Sequence, residues 1–163
     1  MVYNPPMDSI PMTAKGRSKL EKELKTWEDK RPKVAQDVAE ARDMGDLREN
    51  GQYHAAREEL GMIDAKVRDL KDRLARAEII EAKDVEKDVV AIGAKVKVKD
   101  LSDKSDEVYH LVGAGEEDYA QNKILVTSPF GQGLIGHKVG DAVEIQVPRG
   151  VLKYKILKID YEF

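Results

Sequence analysis

Two apolar series, spaced by alternating steps of three and four residues, constrain this chain more than any other feature. The first runs Leu20, Leu24, Trp27, Arg31, Val34, Val38, Ala41, with Arg31 in the one charged slot. The second runs Tyr53, Ala56, Leu60, Ile63, Val67, Leu70, Leu74, Ala77. A repeat of about 3.5 residues keeps one stripe of a helix turned toward a partner, so each series predicts a long helix with a heptad seam. The seams mirror each other about Leu47: Leu20 falls opposite Leu74, Leu24 opposite Leu70, Trp27 opposite Val67, Val34 opposite Leu60, Val38 opposite Ala56 and Ala41 opposite Tyr53. An antiparallel hairpin turning near Gly45 to Arg48 puts these pairs at equal heights, and arms of about 30 residues would be about 45 Å long. The same mirror symmetry permits pairing between two chains; a monomer is expected when the protein is free. Thr13 is placed to cap the first arm, although Gly16 stands where a capping box would have Glu. Pro32 removes a backbone donor inside that arm, so a kink or local break is expected near Lys30 and Arg31.

From Ala94 onward the period changes to alternation: Val96 and Val98, Val108 to Val112, Ile124 to Thr127, Val143 to Val147, and Leu152 to Tyr161. These segments predict several short strands. Eight of the twelve glycines, Gly93, Gly113, Gly115, Gly131, Gly133, Gly136, Gly140 and Gly150, fall between them as turn residues. The expected architecture is therefore α+β, with a coiled-coil hairpin over residues 1–80 and a small β-rich domain over 81–163. The charged stretch from Glu78 to Ile92 is read as the joint.

The chain of 163 residues has no Cys, which excludes disulfides, thiolate nucleophiles and Cys-ligated metal centres. No stretch approaches the roughly 18 apolar residues of a membrane span, and Pro5, Pro6 and Pro11 occupy the start, where a signal peptide would need an apolar run. A cytoplasmic protein without a membrane partner is expected. Residues 1–80 carry 16 basic and 16 acidic side chains and residues 81–163 carry 12 and 15. Non-specific nucleic-acid binding needs a basic excess that displaces counterions, so any such contact here must be local.

The hairpin's turn reads Gly45-Asp46-Leu47-Arg48-Glu49-Asn50. Asp46 and Glu49 have the spacing of a reciprocal cap for the second arm. The same two carboxylates could instead hold a divalent cation. Magnesium takes hard oxygen ligands in a near-octahedral shell, often one or two carboxylates completed by water and phosphate. Two carboxylates on a tip hold it only when a partner supplies the remaining ligands, so the hairpin would complete another protein's two-metal site. Capping and metal binding need not exclude each other. Arg42, Arg48, His54 and Arg57 flank the turn and could receive a phosphate backbone, or they could form a solvated face of ion pairs, for instance Arg57 with Asp43 or Glu58. His54, His110 and His137 are scattered, without a second ligand at metal-binding spacing, and none is read as a catalytic base. Gly131-Gln132-Gly133-Leu134-Ile135-Gly136 formally matches a dinucleotide fingerprint. Pro129 and the short remaining chain oppose that reading, and a glycine-rich turn into a short helix fits better.

Ala39-Glu40-Ala41-Arg42, Gly45 to Asn50 and Tyr53-His54-Ala55-Ala56-Arg57-Glu58 together resemble the tip signature of the bacterial Gre transcript-cleavage factors. Ile10-Pro11-Met12-Thr13, Arg31-Pro32, Ser128-Pro129, Gly133-Leu134-Ile135-Gly136 and Gly140-Asp141 extend the resemblance over nearly the whole chain, and Tyr53 to Glu58 is nearer the GreA type than the GreB type. The resemblance implies a β domain of FKBP-like fold that docks on bacterial RNA polymerase, and a hairpin that enters the polymerase's secondary channel. It implies that Asp46 and Glu49 help position a magnesium ion shared with polymerase, so that polymerase cleaves the 3′ segment of a backtracked nascent RNA. The factor would then not itself be an enzyme. Arg42 and Arg57 match basic positions facing the RNA, and Ser128 and Pro129 match a loop implicated in polymerase docking. Thr127 stands where the family pattern has Asp or Asn, and Gly51 and Gln52 stand where the GreA type has Ala and Glu.

Three other readings compete. A channel blocker that opposes cleavage would carry extra acids in the tip or lack the Gly45-Asp46 pattern. A prolyl isomerase would need an apolar aromatic cleft built from residues such as Tyr109, Phe130 and Tyr154. A coiled-coil adaptor would tolerate free replacement of the tip.

Overall fold

The structure, a computed structural model, describes residues 8–45 and 50–163. The hairpin arms are α1 (Ala14–Arg42) and α2 (Gly51–Ala75). Every apolar seam position from Leu20 to Leu74 is buried or half-buried, and Leu20, Val34, Ala41, Tyr53, Ile63 and Leu70 are almost wholly covered. Withdrawing a Leu or Ile side chain from water contributes about 1.5–3 kcal/mol, so the seam, more than helix propensity, holds the arms together. Arg31 is the one exposed seam residue. Its Nε donates to Asp64 Oδ1 at 2.6 Å and its Nη2 to Oδ2 at 3.4 Å, one residue beyond the Ile63 expected opposite. The antiparallel register is therefore the mirrored one. An ion pair stands at the charged slot while Ile63 beside it stays buried.

The helical region agrees with expectation along α1 and differs from it at the two ends of α2. Helix α1 is kept through Pro32 without a break, proline removing only its own backbone donor. The cap of α2 is Asn50, whose side chain accepts from the Tyr53 N–H, so the helix does not start with Asp46 as its cap. Asp46 to Glu49, which include the candidate acidic pair, lie outside the described residues. Finally, α2 stops at Ala75, and Ala77 opens a strand instead of ending the seam.

That strand, β2 (Ala77–Ile79), pairs in parallel with β1 (Ile10–Met12), and the Ile80 N–H donates to the Met12 carbonyl at 2.9 Å. Residues 8–18 consequently belong with 77–163 in one compact unit, and 19–76 form the other. The division differs from the break expected at residue 80. The segment expected to be a joint also contributes Ile80, Val90 and Ile92 to the core of the β unit.

Five strands complete that unit: β3 (Ala94–Asp100), β4 (Asp106–Val112), β5 (Lys123–Leu125), β6 (Ala142–Val147) and β7 (Gly150–Tyr161). They lie in the order β5-β4-β3-β7-β6, antiparallel except for β4 with β5. Alternation along β3 buries Ala94, Val96 and Val98 and turns the lysines between them outward. The short helix α3 (Pro129–Leu134) packs against both edge strands, β5 and β6. The α+β architecture is the expected one, a helical hairpin with a β-rich domain. Among the described residues no helix is long and apolar enough to cross a membrane.

Candidate functional site

The two arms approach the turn in a defined way. Helix α1 ends at Arg42, and Gly45 takes φ +137°, a region that side chains resist. On the other side Asn50 accepts from the Tyr53 N–H at 3.0 Å and donates through Nδ2 to the Ala41 carbonyl at 2.5 Å. One side chain thus caps α2 and ties it to the last buried residue of α1. Beside this tie the Tyr53 ring is buried against the seam, with the Arg42 guanidinium 5.8 Å from its centroid and the His54 ring edge-on at 5.5 Å. The Tyr53 hydroxyl is held below the ordinary phenol range, first by its hydrogen bond from Arg42 and further by Arg57. The Arg42 guanidinium is raised by the same hydrogen bond.

Arg42 of α1 thus lies over the Tyr53 ring of α2, and Arg57 follows Tyr53 by four residues on α2. Neither Asn50 nor Tyr53 was picked out by sequence reasoning as more than turn and seam. The signal for Asn50 was its cap-forming side chain directly before Gly51, and the signal for Tyr53 was its mirror position opposite Ala41. Another part of the same end carries a groove of about 360 Å³ lined by Asp37, Glu40, Met44, Gln52 and Glu59 among others. Among the described residues no cluster of three or more His, Asp or Glu side chains could hold a metal ion.

Ser128 and Pro129 lie in the other unit. The Ser128 hydroxyl donates to the Leu125 carbonyl at 2.7 Å and accepts from the Gly131 N–H at 3.0 Å, capping α3 with Pro129 in its first turn. Gln132 Nε2 donates to the Val126 carbonyl at 2.7 Å. A side chain at Gly131 would collide with the Leu125 carbonyl, and one at Gly133 with Ile145. The short helix is there as expected, but Gly131 and Gly133 lie inside it and not in a turn between strands, where their missing side chains let α3 pack closely. Ser128 shapes the loop from within, while Thr127, Pro129 and Gln132 form its exposed side. Nearby, Tyr109, Phe130 and Tyr154 pack on one another with centroids 4.7 to 6.4 Å apart, and Tyr109 donates to Glu107. The rings an isomerase would use to line a cleft here cover each other's faces.

Comparison with known proteins adds an independent finding. The family described as "Transcription elongation factor, N-terminal" matches residues 10–79, and "Transcription elongation factor, GreA/GreB, C-term" matches residues 85–161. The chain is 45% identical to the transcription elongation factor GreA of Syntrophotalea carbinolica over 94% of its own length and 98% of that protein's. It is 42% identical to GreA of Thermodesulfovibrio yellowstonii, covering 95% and 99%. Among solved structures it is similar to GreA factor homolog 1 of Thermus thermophilus, at 25% identity and a TM-score of 0.45, covering 93% and 99%.

Proposed function

Because the chain belongs to the GreA/GreB family of transcription elongation factors, as a member of GreA type, we propose that it binds bacterial RNA polymerase, passes its hairpin tip through the secondary channel and stimulates cleavage of backtracked nascent RNA. The observation that carries this reading is the family match over both units, which includes the Gly45 to Asn50 tip sequence. The structure supplies a frame for that sequence: the chain enters the turn from α1 and leaves it into α2 with Asn50 bridging the two.

In this reading Asp46 and Glu49 are presented in trans to the polymerase site and act as ligands, leaving the chemistry to polymerase. A magnesium ion shared with polymerase would supply the second metal of a two-metal hydrolysis, lowering the pKa of the attacking water. Arg42, over the Tyr53 ring, and Arg57, one turn along α2 from Tyr53, would offer two fork-shaped donors to phosphates of the extruded 3′ segment. The α3 loop, with Pro129 exposed and Ser128 holding its shape, docks the β unit on polymerase.

The test is cleavage of RNA in a stalled, backtracked polymerase complex with magnesium, comparing the protein with Asp46→Asn and Glu49→Gln. Acceleration by the unaltered protein, and loss of acceleration in variants that still compete for polymerase, is the expected result. Unchanged or inhibited cleavage by the unaltered protein would remove the reading and favour a blocker or an adaptor.

A further inference from the structure

Four lysines meet on the outward face of the five-stranded sheet, and an irregular register brings them there. Partners across an antiparallel pair share a face, and the partners here are Lys97 with Lys158 and Lys99 with Lys155. Lys155 and Lys158 stand three apart, so strict alternation would send them to opposite faces. The register shift between Lys97 and Val98 takes up one extra residue of β7, Leu157, and turns both lysines outward. The same shift keeps Ile156 and Ile159 opposite the buried Val98 and Val96. Lys95 and Lys153 extend the block at its two ends. Six of the twelve Lys and Arg side chains of residues 81–163 thus share one face, although that stretch is net acidic with 15 carboxylates. Like charges directly opposite each other weaken a sheet, and β3 and β7 are inner strands, where lysine has no edge to protect. Acids offset the block only in part. Lys95 pairs with Glu162, Lys158 with Asp160 at 3.3 Å and Lys153 with Glu144 at 3.9 Å. Asp106, opposite Lys99 on β4, reaches Lys97 instead at 3.9 Å. Among the described residues no carboxylate pairs with Lys99 or Lys155.

We propose that this face binds the phosphate backbone of a nucleic-acid strand, at a site separate from the hairpin tip and independent of the cleavage reading. Lys95, Lys97 and Lys99 are two strand residues apart, about 6.6 Å, a step comparable with that between phosphates of an extended strand. A strand laid along β3 therefore meets a lysine at each phosphate, and the β7 lysines flank it. A protein partner fits the face less well, since protein interfaces are poor in lysine and centre on aromatic anchors. The sheet's tyrosines, Tyr109, Tyr154 and Tyr161, oppose the inward residues Val96, Val143 and Ala94. With those rings turned away from the lysines, recognition is by charge and independent of base sequence.

The test is fluorescence anisotropy of short end-labelled RNA and DNA single strands, titrated with the full chain at low salt. Lys99→Gln with Lys155→Gln, and separately Lys97→Gln with Lys158→Gln, should each weaken binding about tenfold. Each pair should also flatten the dependence of log affinity on log salt by about 1.4, the counterions released from two phosphates of a single strand. Neither pair should lower the thermal midpoint, because removing facing like charges relieves the sheet. Lys83→Gln with Lys138→Gln makes the same change of charge away from this face and should bind as the unaltered protein does. RNA and DNA strands should bind alike; a preference for one, abolished by both lysine pairs, assigns the face to that strand. No binding by the unaltered protein, or an equal loss in the Lys83 and Lys138 control, overturns the proposal. Capture of polyglutamate in preference to either strand overturns it in favour of an acidic protein partner. Binding kept in both lysine pairs but lost in Arg42→Ala with Arg57→Ala overturns it in favour of the hairpin.

Discussion

Thr13 uses one hydroxyl twice. Its oxygen accepts from the Gly16 N–H at 3.2 Å, capping α1, and its proton goes to the Glu116 carboxylate from the β unit's own loop. The position where a capping box would carry Glu is Gly16 because a Cβ there would lie 2.5 Å from the Ala114 carbonyl. The carboxylate that a local sequence pattern would supply from the helix itself comes instead from Glu116. Thr13→Val keeps the shape, removes the cap and strands a half-covered carboxylate, so it should cost about 1–2 kcal/mol in chemical denaturation of the β unit. Gly16→Ala gains helix propensity but must push back a backbone carbonyl, and a net loss of about 1–3 kcal/mol is expected in the same measurement.

At the scale of elements, the Arg31–Asp64 pair gives the hairpin a pH dependence of known sign. Asp64 is held below its ordinary value of 3.8, chiefly by the hydrogen bond from Arg31, so the folded hairpin binds that proton more weakly than the unfolded chain does. The contribution is complete above the ordinary value and is lost as pH falls through it toward the depressed one. Asp64→Asn should therefore lower the thermal midpoint slightly at pH 7, and the difference from the unaltered protein should close as pH falls through the ordinary carboxylate value toward the depressed one. The sole tryptophan, Trp27 in α1, reports it. Solvent exposure of both partners keeps the effect small, and added salt should shrink it further. The arms were legible in the sequence because a heptad seam is a local, repeated signal, and the mirror relation carried the register to within one residue of Arg31's partner. Strands β3, β4, β6 and β7 were legible for the same reason, through alternation. Strands β1 and β2 were not: each has three residues, Pro11 sits inside one, and the pairing joins segments on opposite sides of the hairpin. The start of α2 was read four residues early, at Asp46, because Asp46 and Asn50 both have cap-forming side chains. What decides for Asn50 is a carbonyl on the other arm, invisible to any local pattern. At the candidate site, the placing of Arg42 beside Tyr53 follows from seam register, whereas the bracing of its own loop by Ser128, expected as a contact residue, depends on a carbonyl three residues back that no motif announced.

For the whole molecule, the described chain falls into a hairpin unit and a β unit that begins before the hairpin and resumes after it. Met12 is completely buried in the β unit. Met12→Ala should cost that unit about 2–5 kcal/mol. Hydrogen exchange of amides in β3 and β7 should register the loss, while Trp27 fluorescence, which reports on the hairpin, should melt as before. A common shift of both signals would mean that the units unfold as one. The parallel pairing of β1 with β2 also dictates an order of events during synthesis. A chain emerging from its N-terminus exposes Ile10 and Met12 first, yet their partners Ala77 and Ile79 arrive only after both helical arms have been made. The hairpin, whose contacts are nearest in sequence, closes in that interval, and the first strand waits for the ribosome to deliver the second.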